Sequence, residues 1–546
     1  MELKSQALSR WKACRSGLTS AIREYLAACS DLHAVCTQTR YVSQNRQEVE
    51  EVLKAVDVEL ESLKSEEEEL RRARNFLTAT RNSSRLLSPA HRLPPELLTQ
   101  VFIELRHKYF CEDDVAEPPY AHSLAGVSSY WRRIAIGTPI LWTQIALTTH
   151  SPHYNYPNLL LQRSKGLPVT ILIFHQTNDP RVTMDCASLW LSFLQIACHQ
   201  IHALEITNHC ESSIKPISTM MKHWLKLGSL GNTTKLRLST MSDKHALEQE
   251  LELQPTSEHS DVLLRALTTL HLTRVTIPWS SPAYHGLVDL RLCFESDIDI
   301  MDYELVGILT TSPNIVTLQL YGLNVEPSED WGDVPVCPAH LETFCLGATS
   351  TVSASTLLST ISLSNCLNDL SIGLQLHELS ELTDELEDFL RNTRTVNLSC
   401  SGLYVPEGEF EQALSLSGVI PSLQNLVLQA SDYWDDPYLH RMKPPVNTDE
   451  SMSTSVFPRR IPHVFIPNCP SRLDILRSII SAHSIQTLHL SPYELFGKDR
   501  DRNISELQQM KVTLMEESPN LECIVSNKDE TYSWPCRVDA LWYQQI

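Results

Sequence analysis

Apolar side chains recur at one short spacing through the last two thirds of the chain. Ile, Leu, Val or Phe occupies positions i, i+3 and i+5 of many segments, and this spacing indicates a short strand with one buried face. Full matches begin at Ile201, Leu267, Leu287, Ile315, Leu341, Leu367, Leu423 and Ile485, with shorter ones at Leu236, Val396 and Leu521. The starts at Ile315, Leu341 and Leu367 are 26 residues apart each time. The regular interval predicts a repeated structural unit.

Helices are predicted between these strands, over residues 303–309, 356–362, 382–390, 473–481 and 507–515. The unit of one short strand and one helix resembles the leucine-rich repeat, and this resemblance implies a solenoid with parallel strands on its concave face. The asparagine that usually follows each strand is mostly missing, so the repeat would be irregular. An ordinary α/β domain with chance leucine spacing is the alternative.

Two polar stretches interrupt the repeats. Residues 239–260 are acidic, and we expect a disordered tether there. Residues 431–470 carry Tyr433, Trp434, Tyr438 and Phe465. Insertions between repeats form loops that often bind partners, so the aromatic side chains make the second stretch the better binding candidate. If the target carries a phosphate, strand-borne Arg237 and Arg291 are weak candidates for holding it.

A heptad pattern fills residues 46–80. Val49, Val56, Leu63, Leu70 and Leu77 repeat every seven residues, and Leu53 and Leu60 supply the complementary register. Four heptads predict a short coiled coil within a helical region over residues 1–85. Two arrangements satisfy this pattern equally: self-association of two copies, or packing against an upstream helix around residues 11–32.

Two short amphipathic helices are predicted between the coil and the repeats. Pro94 and Pro95 suit the first turn of a helix, where an amide hydrogen would be unpaired. Helical spacing then gives that helix one wide apolar face, and a second helix carries an apolar stripe through Val127 and Trp131. Helices this short and this apolar indicate a docking element; a small helical cap on the next domain is the alternative.

Leu-Pro-Pro-Glu-Leu-Leu at 93–98, Val127-x-x-x-Trp131-Arg-Arg-Ile-Ala and Pro-Ile-Leu-Trp at 139–142 together resemble an F-box. More narrowly, the chain resembles the F-box-like proteins of mushroom-forming fungi. The family implies binding to a Skp-type adaptor, which joins a cullin-based ubiquitin ligase. The adaptor-binding residues that it implies are Leu93, Pro94, Leu97, Leu98, Val101, Phe102, Val127, Trp131, Leu141 and Trp142. The gap from Phe102 to Leu124 is longer than in a compact F-box.

Charge narrows the choice of partner. The 546 residues include 45 Lys and Arg against 66 Asp and Glu, a net charge of −21. The first 150 residues contain 19 basic and 19 acidic side chains, so the net charge lies entirely in residues 151–546. Such a surface repels nucleic acid and fits a basic protein target better.

The remaining composition indicates a protein without a membrane segment. No apolar run approaches bilayer-spanning length, and the N-terminus lacks a secretory layout. The 15 cysteines show no metal-ligand spacing, which favours reduced thiols in a cytoplasmic or nuclear protein. No nucleotide-binding, zinc-protease or serine-hydrolase motif is present, so we expect no enzyme activity, cofactor or metal.

Together these patterns predict an α/β chain with a helical coil over 1–85, an F-box over 90–148 and an irregular leucine-rich-repeat solenoid over 155–546. The expected function is that of a substrate-recognition subunit in an SCF-type ubiquitin ligase, with an unknown protein target. The alternative is a scaffold protein that uses the F-box and the coil for assembly without ubiquitin transfer.

Overall fold

The fold was analysed in a computed structural model. It describes residues 2–37, 46–82, 92–108, 120–148, 156–175, 180–208, 215–227, 232–240, 249–250, 258–328, 335–347, 350–364, 366–375, 382–391, 393–403, 413, 416–430, 460–469, 473, 476–477, 480, 484–492 and 500–525. The chain divides into two units: Met1–Leu98 with Gly126–Arg133, and Thr99–Ala125 with Ile134–Ile546.

Long helices dominate the first unit. They are α1 (Glu2–Thr37) and α2 (Arg46–Asn82), followed by the start of α3 (Pro95–Lys108). The predicted heptad segment is therefore helical. Exposed ion pairs reinforce α2, where Glu68 lies 2.8 Å from Arg71 and 3.5 Å from Arg72. Exposed pairs at this spacing contribute little to the stability of a helix. Most of the helix-forming tendency therefore comes from the apolar spacing and the many helix-favouring residues.

Short helices bridge the two units along the sequence. They are α4 (Tyr120–Val127), α5 (Ser129–Gly137) and a single 3₁₀ turn at Pro139–Trp142. The two helices predicted around Leu97 and Trp131 are thus present. The first strand, β1 (Gln144–Thr148), begins directly after the 3₁₀ turn. The sheet consequently starts inside the 90–148 segment.

The second unit is built on one sheet of 14 strands, and all their pairings are parallel. After β1 the strands are β2 (Val169–His175), β3 (Ile201–Asn208), β4 (Lys235–Thr240), β6 (Thr269–Thr273), β8 (Asp289–Met301), β9 (Thr317–Glu326), β10 (Thr343–Gly347), β11 (Leu370–Gln375), β12 (Thr395–Leu403), β13 (Asn425–Ala430), β14 (Arg460–Cys469), β15 (Ser484–Pro492) and β16 (Glu522–Val525). A separate pair joins β5 (Gln249–Glu250) to β7 (Val275–Thr276).

Helices fill most of the connections. They are α6 (Tyr156–Arg163), α7 (Pro180–Ala197), α8 (Lys215–Leu227), α9 (Glu258–Arg265), α10 (Asp302–Thr311), α11 (Thr351–Thr360), α12 (Thr383–Arg391) and α13 (Arg500–Glu517). Among them, α6 packs against β1, α10 against β8, α11 against β9, and α13 against β15 and β16. The alternation of parallel strand and helix is the arrangement that the repeated spacing predicts.

One face of the sheet is an unbroken apolar surface. A single row in register crosses all 14 strands, and every residue of it is buried. The row consists of Ile145, Ile171, Leu204, Leu236, Leu270, Leu290, Leu318, Phe344, Ile372, Leu398, Leu426, Val464, Leu488 and Cys523. Successive side chains of a strand alternate between faces. The residues directly before and after each member of this row therefore lie on the opposite face of the sheet.

Both interruptions contain secondary structure that we did not expect. In the first, Gln249–Glu250 pairs with Val275–Thr276, and α9 begins at Glu258, so the tether prediction is wrong at these positions. In the second, Arg460–Cys469 is a strand within the sheet. The strand was not predicted because it contains Pro462 and Pro467. Proline cannot donate a hydrogen bond to a neighbouring strand and therefore argues against a central strand. Tyr433, Trp434 and Tyr438 lie outside the described residues.

Candidate functional site

Apolar side chains are exposed at the start of α3 and at the end of α4 in the first unit. Leu97 keeps 55% of its surface exposed and Val127 keeps 47%, and Leu93 and Pro94 are also exposed. The hydroxyl of Tyr130 donates to the backbone carbonyl of Leu93 at 3.1 Å, across 37 positions of sequence. This bond fixes the residues before α3 beside α5. We call Leu93, Leu97, Val127 and Tyr130 the Leu93 cluster.

The other predicted adaptor-binding residues differ in burial. Val101 is exposed, and Trp131 is half-buried. Leu98, Phe102, Leu141 and Trp142 are buried. A buried side chain stabilises the local fold rather than contacting a partner directly. The sequence pattern could not separate exposed positions from buried ones among these ten residues, because both kinds are apolar.

Trp142 shows how the buried residues support their surroundings. Its indole Nε1 donates to the carbonyl of Ala135 at 2.7 Å, which ties the 3₁₀ turn to α5. The guanidinium carbon of Arg163 lies 4.4 Å from the ring centroid, in cation–π geometry. The hydroxyl of Thr138 adds a bond to the carbonyl of Ile134 at 2.8 Å. Sequence reasoning did not assign a role to Arg163 because the contact joins two separate elements.

A second candidate surface lies on the sheet, opposite the apolar rows. Neighbouring strands β3, β4, β6, β8 and β9 place five polar residues in register: Glu205, Arg237, His271, Arg291 and Gln319. At about 4.8 Å between strands, the row is roughly 19 Å long. We call this row the polar face. Arg237 and Arg291, the two strand-borne arginines singled out from the sequence, lie on it two strands apart.

Asp289 holds a charged cluster together on this surface. Arg291 donates from Nε to one carboxylate oxygen at 2.9 Å and from Nη2 to the other at 3.1 Å. Nε2 of His271 lies 3.1 Å from the same carboxylate. Burial alone would raise the pKa of Asp289, but the contacts with His271 and Arg291 outweigh burial and lower it to about 2. The carboxylate is therefore charged at neutral pH.

The neighbouring groups have shifted pKa values too. Burial lowers the pKa of His271 and outweighs the raising effect of Asp289, so the imidazole is neutral at pH 7. Burial raises the pKa of the Cys293 thiol to about 11, which keeps it protonated. Gln319 is buried, and its amide nitrogen has no hydrogen-bond partner within the described part of the chain. The polar face thus combines charged groups with the unused amide donor of Gln319.

Further along the sheet, the same row contains small and apolar residues instead of charged ones. After Gln319 it continues through the small residues Cys345, Gly373 and Ser399, and then through Val427 and Phe465. Phe465 stacks on the imidazole of His489, with ring centroids 4.3 Å apart and planes 10° apart. Phe465 therefore lies on the sheet rather than in the predicted loop. Gln319, Ser399, Val427 and Phe465 are buried, so the part of the row that a partner could contact is its partly exposed charged end, from Glu205 to Arg291.

Metal sites, membrane-spanning helices and related proteins complete the description of the chain. Among the described residues, no three His, Cys, Asp or Glu side chains are grouped so that they could hold a metal ion. None of the described helices has the length and apolar content needed to cross a bilayer. No protein-family model and no curated protein matches the chain.

Proposed function

We propose that this chain is the substrate-recognition subunit of an SCF-type cullin ubiquitin ligase. In this proposal it binds a Skp-type adaptor through the Leu93 cluster and a protein target through the sheet. The observation that carries the proposal is the exposure of Leu93, Leu97 and Val127 at the positions where the F-box resemblance implies adaptor contacts. The hydrogen bond of Tyr130 supports it, because a fixed cluster loses little conformational freedom on binding.

The exposed surface is large enough to matter for affinity. Burying a whole Leu or Val side chain contributes about 1.5–3 kcal/mol, so covering the exposed half of each contributes on the order of 1 kcal/mol. Three such side chains, with the neighbouring Pro94, would form the centre of an interface. Buried Leu98 would keep α3 in place beneath that centre. In this proposal Leu93, Leu97 and Val127 contact the adaptor, whereas Leu98 supports the helix that carries Leu97.

The sheet is the proposed target-binding element. Its polar face offers partly exposed side chains in one line from Glu205 to Arg291, which suits an extended segment of another protein. The strong acidity of residues 151–546 favours a basic target. The chain itself would contribute no chemistry to ubiquitin transfer. It would act by holding a target near the ligase and so raising its effective concentration.

A scaffold role without ubiquitin transfer is the second candidate. It is favoured by the exposed apolar residues of α1 and α2, which provide a surface for assembly separate from the Leu93 cluster. The two candidates share adaptor binding and differ in whether a cullin joins the complex. They also differ in whether a client protein accumulates when the chain is removed.

Co-purification with a Skp-type adaptor tests the proposal. We expect the wild-type chain to bind stoichiometrically and the Leu93→Ala/Leu97→Ala variant to lose about 2–4 kcal/mol, or roughly 30- to 1000-fold in affinity. The control is Val352→Ala, which truncates an exposed aliphatic side chain on α11. Both variants are first checked by circular dichroism for unchanged helix content.

Each outcome decides between named alternatives. Loss of binding in the double variant alone supports the Leu93 cluster as the adaptor site. Cullin recruitment in the same experiment then favours the ligase subunit over the scaffold. If the folded wild-type chain does not bind the adaptor, or if the control loses as much affinity as the double variant, the assignment of the Leu93 cluster is wrong.

A further inference from the structure

Helix α1 carries an apolar stripe that the heptad pattern of α2 does not include. Spacings of three, four and seven residues place six apolar side chains on one side of the helix: Leu8, Trp11, Leu18, Ile22, Tyr25 and Leu32. All six side chains are exposed, as are Leu53 and Leu60 on α2. We call the six residues the α1 stripe. Long amphipathic helices bury such a stripe in a stable protein, so this one requires a partner surface.

The two helices lie antiparallel. The hydroxyl of Tyr25 donates to a carboxylate oxygen of Glu59 at 2.7 Å. This bond raises the pKa of the Tyr25 hydroxyl. Tyr25 is 12 residues before the end of α1, and Glu59 is 13 residues after the start of α2. With Tyr25 beside Glu59, a parallel arrangement would need the eight intervening residues to span those 25 helical positions, about 38 Å, whereas they reach only about 30 Å.

This hairpin cannot cover its own apolar residues. Val52, Val56 and Leu63 of α2 are half-buried, whereas Leu18 on α1 still exposes 47% of its surface. Two helices contact each other along a single line, so each keeps one flank of its stripe open. Three or four helices are needed to enclose a core of this kind. The hairpin therefore has the form of half a bundle.

We infer that a second copy of this chain covers the α1 stripe, and that two hairpins form an antiparallel four-helix bundle. Charge is the first reason. Helix α1 carries five basic and three acidic side chains, whereas α2 carries seven basic and ten acidic ones. A two-fold axis can place α1 of one copy against α2 of the other, so that opposite net charges face each other twice. Two hairpins are thus complementary in charge when α1 of each faces α2 of the other.

The available area is the second reason. A face about 54 Å long and two helices, or roughly 20 Å, wide offers on the order of 1000 Å² per copy. A stable protein interface needs about 800 Å² per partner. The hairpin alone meets that requirement, without any contribution from the second unit. Self-association would also present two sheets and two Leu93 clusters in one particle, which raises avidity for a repeated target.

The test measures the mass of the full-length chain by light scattering after size exclusion, over a dilution series. The wild-type chain should have twice its monomer mass of 61.9 kDa and dissociate reversibly on dilution. The Leu18→Lys/Ile22→Lys variant should have the monomer mass, since four charges would enter one bundle core. The matched control is Leu26→Lys, on the same helix but outside the stripe, where Leu26 is 62% exposed. It should remain a dimer.

Three results would overturn the inference: a monomeric wild-type chain at every concentration, a dimer that Leu18→Lys/Ile22→Lys leaves intact, or a dimer that Leu26→Lys disrupts equally. Circular dichroism confirms that the variants keep their helices. If the double variant does not keep them, Leu53→Lys on α2 replaces it. Adaptor binding is not needed for any readout, so the inference and the proposed function succeed or fail separately.

Discussion

Removing the charge of Asp289 should lower the free energy of unfolding, because Asp289 forms a largely buried ion pair within the sheet. Asp289→Asn keeps the shape of the side chain and removes the charge that faces Arg291 and His271. The guanidinium of Arg291 would then lose its ion pair with Asp289. Asp289 is 22% exposed, so water can replace the lost contact only in part.

Two independent arguments give the magnitude. The pKa of Asp289 falls from 3.8 to about 2 on folding, and a shift of this size corresponds to about 2 kcal/mol of stability at neutral pH. Removing one partner of a buried ion pair costs about 3–5 kcal/mol, and the partial exposure of this pair reduces that figure. We therefore expect a loss of about 2–3 kcal/mol at pH 7.

Urea unfolding of the full chain, followed by circular dichroism, provides the measurement. Urea is preferred because guanidinium chloride would screen the charges. The control is Asp369→Asn, which removes a pair to Arg394 of the same 2.9 Å length. Both partners of that pair are 64% exposed, so its loss should change stability by less than about 1 kcal/mol.

The pH dependence gives a second readout. Because folding lowers the pKa of Asp289, its contribution is complete above about pH 4 and disappears as the pH falls towards 2. The difference between the wild type and Asp289→Asn should therefore shrink over that interval. Equal losses for the two variants at pH 7, or a difference that does not vary with pH, would refute the reasoning.

Two further pairs of substitutions probe individual positions. Trp142→Phe removes a buried indole N–H that bonds a backbone carbonyl at 2.7 Å, and should lower stability by about 1–3 kcal/mol in urea unfolding. Trp279→Phe removes a solvent-exposed bond of the same kind and should have a smaller effect. Gly322→Ala should cost at least about 2 kcal/mol, because φ is +67° and the new Cβ would lie 2.3 Å from the carbonyl oxygen of Phe294. Gly307→Ala, in an open position of α10, should stabilise the protein by about 0.5–1 kcal/mol. The structural argument would be contradicted if Trp279→Phe cost more than Trp142→Phe, or if Gly307→Ala cost more than Gly322→Ala.

Much of the sheet could be predicted because its strands carry local signals. The spacing that begins at Ile315, Leu341 and Leu367 marks three consecutive strands, each supplying buried residues to the apolar rows. The heptads of α2 likewise lie in one continuous helix. In both cases the information lies within a few residues, and the hydrophobic effect acts on that short pattern directly.

The polar face could not be predicted, because its members come from separate strands. His271 follows Arg237 by 34 residues, and Arg291 follows His271 by 20. Only the register of β4, β6 and β8 brings the three side by side. The α1 stripe was missed for a different reason. Arg15 and Cys29 occupy two of its heptad positions, so the apolar repeat is broken in the sequence. The remaining six apolar side chains are nevertheless exposed on one side of the helix.

The order of the strands has a consequence for how the molecule is made. In the 14-stranded sheet each strand pairs with the one that precedes it in this sheet along the chain, and no later strand inserts between earlier ones. A chain leaving the ribosome can therefore add each strand to an edge that already exists. Contacts between neighbouring strands span only a few tens of residues, which shortens the loops to be closed. Synthesis and assembly of the sheet can proceed in the same direction, from β1 to β16.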